Sequence, residues 1–194
     1  SDLSETPIQH ARRCVVVGGG NVAMDAARCA KRLGVENVTI VYRRSMEELP
    51  ARREEVEHAQ EEGIEFQLLC NPVRVHSDEY GNVSGVECIR MELGDADSSG
   101  RRRPVEIKDS NFIIEADCMI MAIGTSPNPL LRSTTEHLEA NKRGCLIVDE
   151  DSMTTRENVY AGGDAVTGAA TVILAMGAGK KAAEAIDNKI KGNA

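Results

Sequence analysis

Three consecutive glycines, Gly18-Gly19-Gly20, stand between a continuous apolar run and an alanine-rich stretch. That junction constrains the fold more than any other segment. The run before it, Arg13–Val17, reads as a buried strand. After it, Ala23, Ala26, Ala27, Ala30 and Leu33 recur at three- and four-residue spacing, which predicts a helix from about Asn21 to Leu33 stopped by Gly34. A second strand is read at Val38–Tyr42. Strand, helix and strand make a βαβ unit whose two strands are expected to be parallel neighbours.

Within this unit the pattern Gly18-x-Gly20-x-x-Ala23 has a physical reason at each position. Gly18 permits a tight strand-to-helix turn. Gly20 has no side chain, so a pyrophosphate can approach the backbone. Ala23 lets the helix pack closely on the strands. The N–H groups of the helix start, with the positive end of its dipole, can hold the anion. The plainer alternative is a glycine turn that only tightens packing. The strand before, the helix after and the second strand at the right distance favour a dinucleotide.

The end of the second strand bears on which dinucleotide. A site for NAD(H) usually carries Asp or Glu there to accept the ribose hydroxyl. This chain has Tyr42-Arg43-Arg44. Two guanidiniums would clasp a 2′-phosphate by charge-assisted hydrogen bonds, so NADP(H) is favoured over NAD(H). Arg52 is a further candidate, with pairing to Glu55 or Glu48 as its plainer alternative.

Ser45 and Glu48 have the spacing of a capping box. Pro50 suits the first turn of a helix running to about Glu62. Ile64–Leu69 reads as a third strand, buried on both faces. Then the pattern alternates. Val73–His76, Val83–Met91 and Val105–Ile114 predict a three-stranded antiparallel meander, with a long basic connector at Gly94–Pro104. Its Arg101-Arg102-Arg103 is expected to be a solvated, mobile hairpin tip rather than a partner site. Cys118–Ile123 is another buried strand, ending at Gly124. Further on, Leu146–Val148 and Val159–Ala161 read as short strands, and a helix is expected from about Ala169 to Ile190.

Composition removes some classes of function. Aromatic residues are 3% with no Trp, and the net charge is −8, which disfavours nucleic-acid binding. No apolar run reaches the length of a membrane span, and no signal peptide is evident, so a cytoplasmic protein is expected. The six cysteines are dispersed without a Cys-x-x-Cys pair and read as reduced, buried thiols. His10, His58, His76 and His137 read as solvated, and no catalytic or metal-binding side chain is assigned.

VVVGGGNVAMDAAR at Val15–Arg28 and VYRRSMEELPARREEVEHA at Val41–Ala59 resemble the small (β) subunit of NADPH-dependent glutamate synthase and its flavoprotein relatives. So do MAIGTSPNPLL at Met121–Leu131 and VYAGGDAVTGAATVILAMGAGKKAAEAI at Val159–Ile186. Those relatives include the NADPH-binding part of dihydropyrimidine dehydrogenase, NADPH:ferredoxin-linked oxidoreductases and, more distantly, thioredoxin reductase. The resemblance implies contacts to NADPH from Gly18, Gly20, Asn21, Val22 and Ala23, and to its 2′-phosphate from Arg43 and Arg44. It implies that Gly163, Asp164, Ala170 and Thr171 face FAD, with Asp164 accepting from a ribityl hydroxyl. Gly124 joins the cofactor-binding set. The expected fold is α/β: a Rossmann-like, three-layer ββα NADPH-binding domain with an antiparallel β-meander over residues 1–124, then the C-terminal segment of a split FAD-binding domain over residues 125–194.

The resemblance further implies hydride transfer from NADPH to FAD, and electron transfer onward to an iron–sulfur centre. The expected partner is the glutamate synthase large subunit or another iron–sulfur protein. The family's first FAD-binding βαβ unit and its cysteine-rich iron–sulfur segment have no counterpart before Cys14. The chain is therefore expected to be a piece of such a protein that holds FAD poorly and is inactive by itself. The competing reading is a module that senses NADP(H) without redox chemistry. A dehydrogenase with its own substrate pocket is disfavoured by the lack of a convergent His/Lys/Tyr set.

Overall fold

The structure, a computed structural model, describes residues 10–96 and 100–192. The chain divides into two compact units, Ser1–Ile123 and Gly124–Ala194.

The first unit is built on a parallel sheet in the order β3-β2-β1-β8. Its strands are β1 (Arg13–Val17), β2 (Asn37–Tyr42), β3 (Glu65–Leu68) and β8 (Cys118–Met121). Val16 pairs with Ile40 of β2 on one side and Ile120 of β8 on the other. Side chains alternate across the sheet. Cys14 and Val16 of β1 therefore meet α1 (Asn21–Arg32) and α2 (Arg53–Glu61), in a core with Ala23, Met24, Ala27, Val56 and Ala59. Val15 and Val17 point the other way, into a second core with Cys70, Val86 and Cys88. Each fully buried valine contributes about 1.5–3 kcal/mol relative to exposure.

Cys70, Val86 and Cys88 belong to the antiparallel layer, formed by β4 (Cys70–Ser77), β5 (Val83–Ala96), β6 (Arg102–Glu106) and β7 (Phe112–Glu115). Helices, parallel sheet and meander are the expected three ββα layers. Strand details differ from expectation: the strand expected at Cys118–Ile123 ends at Met121 and is half-buried rather than buried. Val105–Ile114 is two strands, not one, both pairing with β5. Between them Asp109 takes φ +56°, and the Ser110 hydroxyl accepts the Arg90 amide at 3.0 Å, so a side chain replaces the ladder at the break. β3 is not buried on both faces, because it is the sheet's edge strand. β4 begins three residues earlier than expected, and β5 runs on to Ala96. The connector's tip, residues 97–99, lies outside the described residues.

Pro50 does not open α2. Instead the Ala51 amide bonds the Gly19 carbonyl at 3.0 Å and the Arg52 amide bonds Asn21 Oδ1 at 2.9 Å. These residues are held by the glycine turn, so the helix starts at Arg53. Across the two helices, Glu62 accepts from Arg28 at 2.9 Å and Arg32 at 2.6 Å, while Arg28 also reaches Glu55 at 3.0 Å. The hydrogen bond from Arg32, with help from Arg28, holds the Glu62 carboxyl below its usual range. Because that carboxyl is depressed in the folded state, its contribution is present above an ordinary carboxylate value of about 4.3 and lost as pH falls below it. The unfolding midpoint should therefore drop as pH falls through that window. Glu62→Gln should flatten the drop, measured by thermal melts from neutral to acid pH. An unchanged profile would show the network to be idle.

The second unit contains α3 (Pro129–Thr134), α4 (Asp164–Thr167) and α5 (Val172–Lys191). Asn128 caps α3 by accepting the Leu130 amide at 2.9 Å. The two short strands expected here are only isolated bridges, Ala140 with Leu146, Val148 with Thr154, and Met153 with Tyr160. Three-residue apolar segments without a further strand to pair against do not propagate a ladder. α5 starts three residues later than expected, after Gly168 at φ +83°. Val172, Ile173, Leu174 and Met176 on its first turns are exposed. Among the described residues no helix is long and apolar enough to cross a membrane, and no His/Cys/Asp/Glu group could hold a metal ion.

Of the cysteines, Cys14, Cys70, Cys88 and Cys145 are buried, Cys118 is half-buried and Cys29 is exposed. Burial pushes the Cys14 thiol up to about 12, which makes it a poor nucleophile. His76 is not simply solvated, since its Nε2 lies 3.0 Å from Glu87.

Candidate dinucleotide-binding site

The glycine turn sits at the C-terminal end of β1, where the strand order passes from β2 on one side to β8 on the other. In open α/β sheets this crevice takes ligands. Gly18 is pinned there. Its amide bonds the Val41 carbonyl at 3.0 Å, and the neighbouring Ala122 amide bonds the Val17 carbonyl at 2.8 Å. A Cβ on Gly18 would lie 2.3 Å from the Ala122 carbonyl oxygen, and φ is +140°. Around Gly20, by contrast, a Cβ would meet nothing within 4 Å. Open space lies where an anion would come up to the backbone.

α1 begins at Asn21 with Gly20 as its N-cap residue and no side-chain cap. Among the described residues no acceptor takes the amide hydrogens of Gly20, Asn21 or Val22. A helix start in this condition carries partial positive charge and unused donors. Val22 is 68% exposed although apolar, whereas Ala23 is fully buried against the sheet. The Asn21 side chain accepts the Arg52 amide through Oδ1, which leaves its Nδ2 and its backbone N–H as donors for a ligand. Arg52 makes no ion pair with Glu55 or Glu48 among the described residues. Its plainer alternative is not what the structure shows.

Sequence reasoning passed over Gly19. A Cβ there would lie 2.7 Å from the Tyr42 ring and 2.8 Å from Leu49. The ring at the end of β2 packs against the turn, and only glycine leaves room for it. The tyrosine hydroxyl donates to the Glu48 carbonyl at 2.9 Å. Ser45 and Glu48 form the expected capping box, and this bond with Ser45, reinforced by Arg102, holds the Glu48 carboxyl low.

Arg43 and Arg44 alternate, as successive residues leaving a strand do. Arg43 is exposed. Arg44 is only 9% exposed and donates Nε to the Arg102 carbonyl at 2.8 Å. Neither forms an ion pair among the described residues. The two guanidiniums are therefore not an equivalent pair. Arg43 presents its charge outward, and Arg44 fastens the basic hairpin.

That hairpin is not a solvated end. Arg101 Nη2 lies 2.9 Å from the Tyr42 hydroxyl and 3.2 Å from the Glu48 carbonyl. Arg102 reaches Glu48 at 2.6 Å and Glu47 at 3.1 Å. Only Arg103 of the three is exposed. The signal was the pairing of basic Arg102 with acidic Glu47 and Glu48, more than 50 residues apart in sequence, a separation no local pattern spans.

In the second unit, Gly163, Asp164, Ala170 and Thr171 come together along a groove of about 510 Å³. Gly163 has φ +67° and packs on Ala175 of α5. Thr171 is the N-cap residue of α5, without a side-chain cap, so Ala170 and Thr171 lie just ahead of the first turn rather than in it. Gly124, exposed at φ +85°, is not among the residues lining this groove.

A family model described as pyridine nucleotide-disulphide oxidoreductase matches residues 2–185. The chain belongs to this family. It is 41% identical over 98% of its length to the NADP(+)-dependent formate dehydrogenase subunit beta of Moorella thermoacetica, of which it covers 27%. It is 39% identical over 91% of its length to the glutamate synthase (NADPH) small chain of Escherichia coli K12, of which it covers 38%. The chain thus spans about a third of the length of these relatives. Among solved structures, thioredoxin reductase of T. acidophilum has a TM-score of 0.72 at 24% identity, over 92% of this chain and 53% of that one. FprA of Mycobacterium tuberculosis in complex with NADPH has a TM-score of 0.66 at 18% identity, over 92% of this chain and 52% of that one. The resemblance to the glutamate synthase small chain holds, as does the Rossmann-like fold.

Proposed function

We propose that this member of the family is the NADPH-binding portion of a flavoprotein oxidoreductase of the glutamate synthase small-chain type. The observation that carries the reading is the glycine turn with open space at Gly20, unused amides at the start of α1 and the exposed Arg43 at the end of β2. These groups fit NADPH. The amides of Gly20, Asn21 and Val22 would bind the pyrophosphate, and Arg43 the 2′-phosphate. Val22 would lie under the nucleotide, which accounts for an apolar side chain left in water.

The second unit fits FAD. Asp164 would accept a ribityl hydroxyl, and the α5 start beyond Thr171 would favour negative charge on a flavin. When bound, NADPH supplies a hydride and FAD accepts it, releasing electrons singly to an acceptor. The chain's residues orient and polarise, and no side-chain acid or base is required. The acceptor in this proposal is an iron–sulfur centre, in the glutamate synthase large subunit or a comparable partner. Relatives named for formate dehydrogenase and NADPH-Fe(3+) oxidoreductase subunits support a shared electron-input role. A sensor of NADP(H) alone has no use for the Gly-Gly-Asp groove.

The test is anaerobic addition of NADPH to the full-length, FAD-loaded flavoprotein of which this chain is proposed to be a portion. The yellow flavin band should bleach with NADPH and far more slowly with NADH. No bleaching by either would reject the oxidoreductase reading and leave the sensor.

A further inference from the structure

We propose that the return strand of the basic hairpin completes the 2′-phosphate site, with Arg101 as a direct phosphate ligand and Arg102 as the residue that positions it. The proposal rests on the NADPH reading of the turn, and it names a specificity-determining residue 81 positions after Gly20.

The adenosine end of a dinucleotide bound at the turn after β1 lies beyond the end of β2. The side chain that marks that end is Tyr42, packed on Gly19. Arg101 is docked on its hydroxyl at 2.9 Å. The arm beneath is fastened twice. Arg44 donates to the Arg102 carbonyl at 2.8 Å, and the Arg102 guanidinium binds Glu48 and Glu47 at 2.6 and 3.1 Å. Ser45 and Arg102 hold the Glu48 carboxyl low, so this anchor stays ionised at neutral pH. Anchoring of this kind fixes a guanidinium before a ligand arrives, which lowers the entropy cost of binding.

An open groove of about 550 Å³ is lined by Gly100, Arg101, Arg102, Glu47, Glu48 and Pro50. Small-ligand sites have volumes of about 300–1,000 Å³. Arg44, Arg101 and Arg102 gather at the end of β2, which Arg43 follows directly in sequence. Glu47 and Glu48 hold the Arg102 guanidinium, while Arg101 bonds the Tyr42 hydroxyl and the Glu48 carbonyl. A 2′-phosphate beside Arg43 would meet Arg101 from the opposite edge. The ligand chemistry is a ribose phosphomonoester, which distinguishes NADP(H) from NAD(H).

The test is calorimetric titration with 2′,5′-ADP and with 5′-AMP, for wild type, Arg101→Ala, Arg101→Lys and Arg43→Ala. Arg101→Ala should weaken 2′,5′-ADP by about tenfold or more, as expected for loss of a charge-assisted hydrogen bond. It should leave 5′-AMP unchanged and flatten the salt dependence of 2′,5′-ADP binding. Arg101→Lys should recover part of the loss, which a purely structural role would not allow. Unchanged 2′,5′-ADP affinity in Arg101→Ala, with a loss in Arg43→Ala, overturns the proposal and leaves the NADPH reading standing. Equal loss for both ligands also overturns it, because the arm would then be scaffold only. Unchanged affinity in both alanine variants overturns the proposal and the 2′-phosphate placement together.

Discussion

Gly18→Ala should cost the protein about 2–6 kcal/mol, the sum of a strained backbone and an overpacked contact at about 1–3 kcal/mol each. The total stability of a domain is about 5–15 kcal/mol, so the variant should melt far below wild type or fail to accumulate. The cause is geometric. The new methyl would lie 2.3 Å from the Ala122 carbonyl oxygen, at a φ of +140°. Neither strand can retreat, because Gly18 is bonded to β2 through Val41 while Ala122 is bonded to β1 through Val17. Gly20→Ala is the informative control. Gly20 already has an extended conformation that alanine adopts, φ −90° and ψ 176°, and a methyl there meets nothing. Its melting temperature should match wild type while NADPH affinity falls, because the methyl takes the space of the pyrophosphate. Thermal melts and calorimetry on the two variants separate the structural glycine from the binding one. Equal melting temperatures for Gly18→Ala and wild type would show the contact to be soft.

Arg43→Ala should sharply reduce the preference for NADPH over NADH, lowering NADPH affinity about 10–100-fold and leaving NADH unchanged. A charge-assisted hydrogen bond contributes about 1.5–3 kcal/mol, and 1.4 kcal/mol is a factor of ten. Arg44→Ala should behave differently. Its side chain is buried and holds the Arg102 carbonyl, so removal leaves that carbonyl without its donor and loosens the hairpin. A lower melting temperature should accompany its loss of NADPH affinity. Identical phenotypes for the two variants would contradict the division of labour between them.

The βαβ unit was legible because its determinants are local. Gly18, Gly20 and the alanine stripe follow one another within a single strand, turn and helix, although the carbonyl that crowds Gly18 belongs to distant Ala122. The two-faced core of β1 followed from five consecutive residues. What was not legible depends on chain segments that meet late. Arg43 and Arg44 look alike in sequence, and only the sheet's alternation and the arriving hairpin turn one outward and one inward. The role of Gly19 depends on the Tyr42 ring. Pro50 has the chemistry of a helix start, but Ala51 and Arg52 are held by bonds to Gly19 and Asn21, and those bonds win. Arg101 and Arg102 read as a solvated tip because the groups they bond, the Tyr42 hydroxyl and Glu48 carbonyl for Arg101 and the Glu47 and Glu48 carboxylates for Arg102, are distant in sequence. In the second unit, Leu146–Val148 and Val159–Ala161 have the composition of strands, yet they find single bridges rather than a ladder.

The most direct measurement is a crystal structure of the protein grown with NADP⁺. The account expects the pyrophosphate against the amides of Gly20, Asn21 and Val22, the space beside Gly20 filled, and the 2′-phosphate next to Arg43. A nucleotide bound elsewhere, or one seated at the turn with its 2′-phosphate pointing away from Arg43, would contradict it.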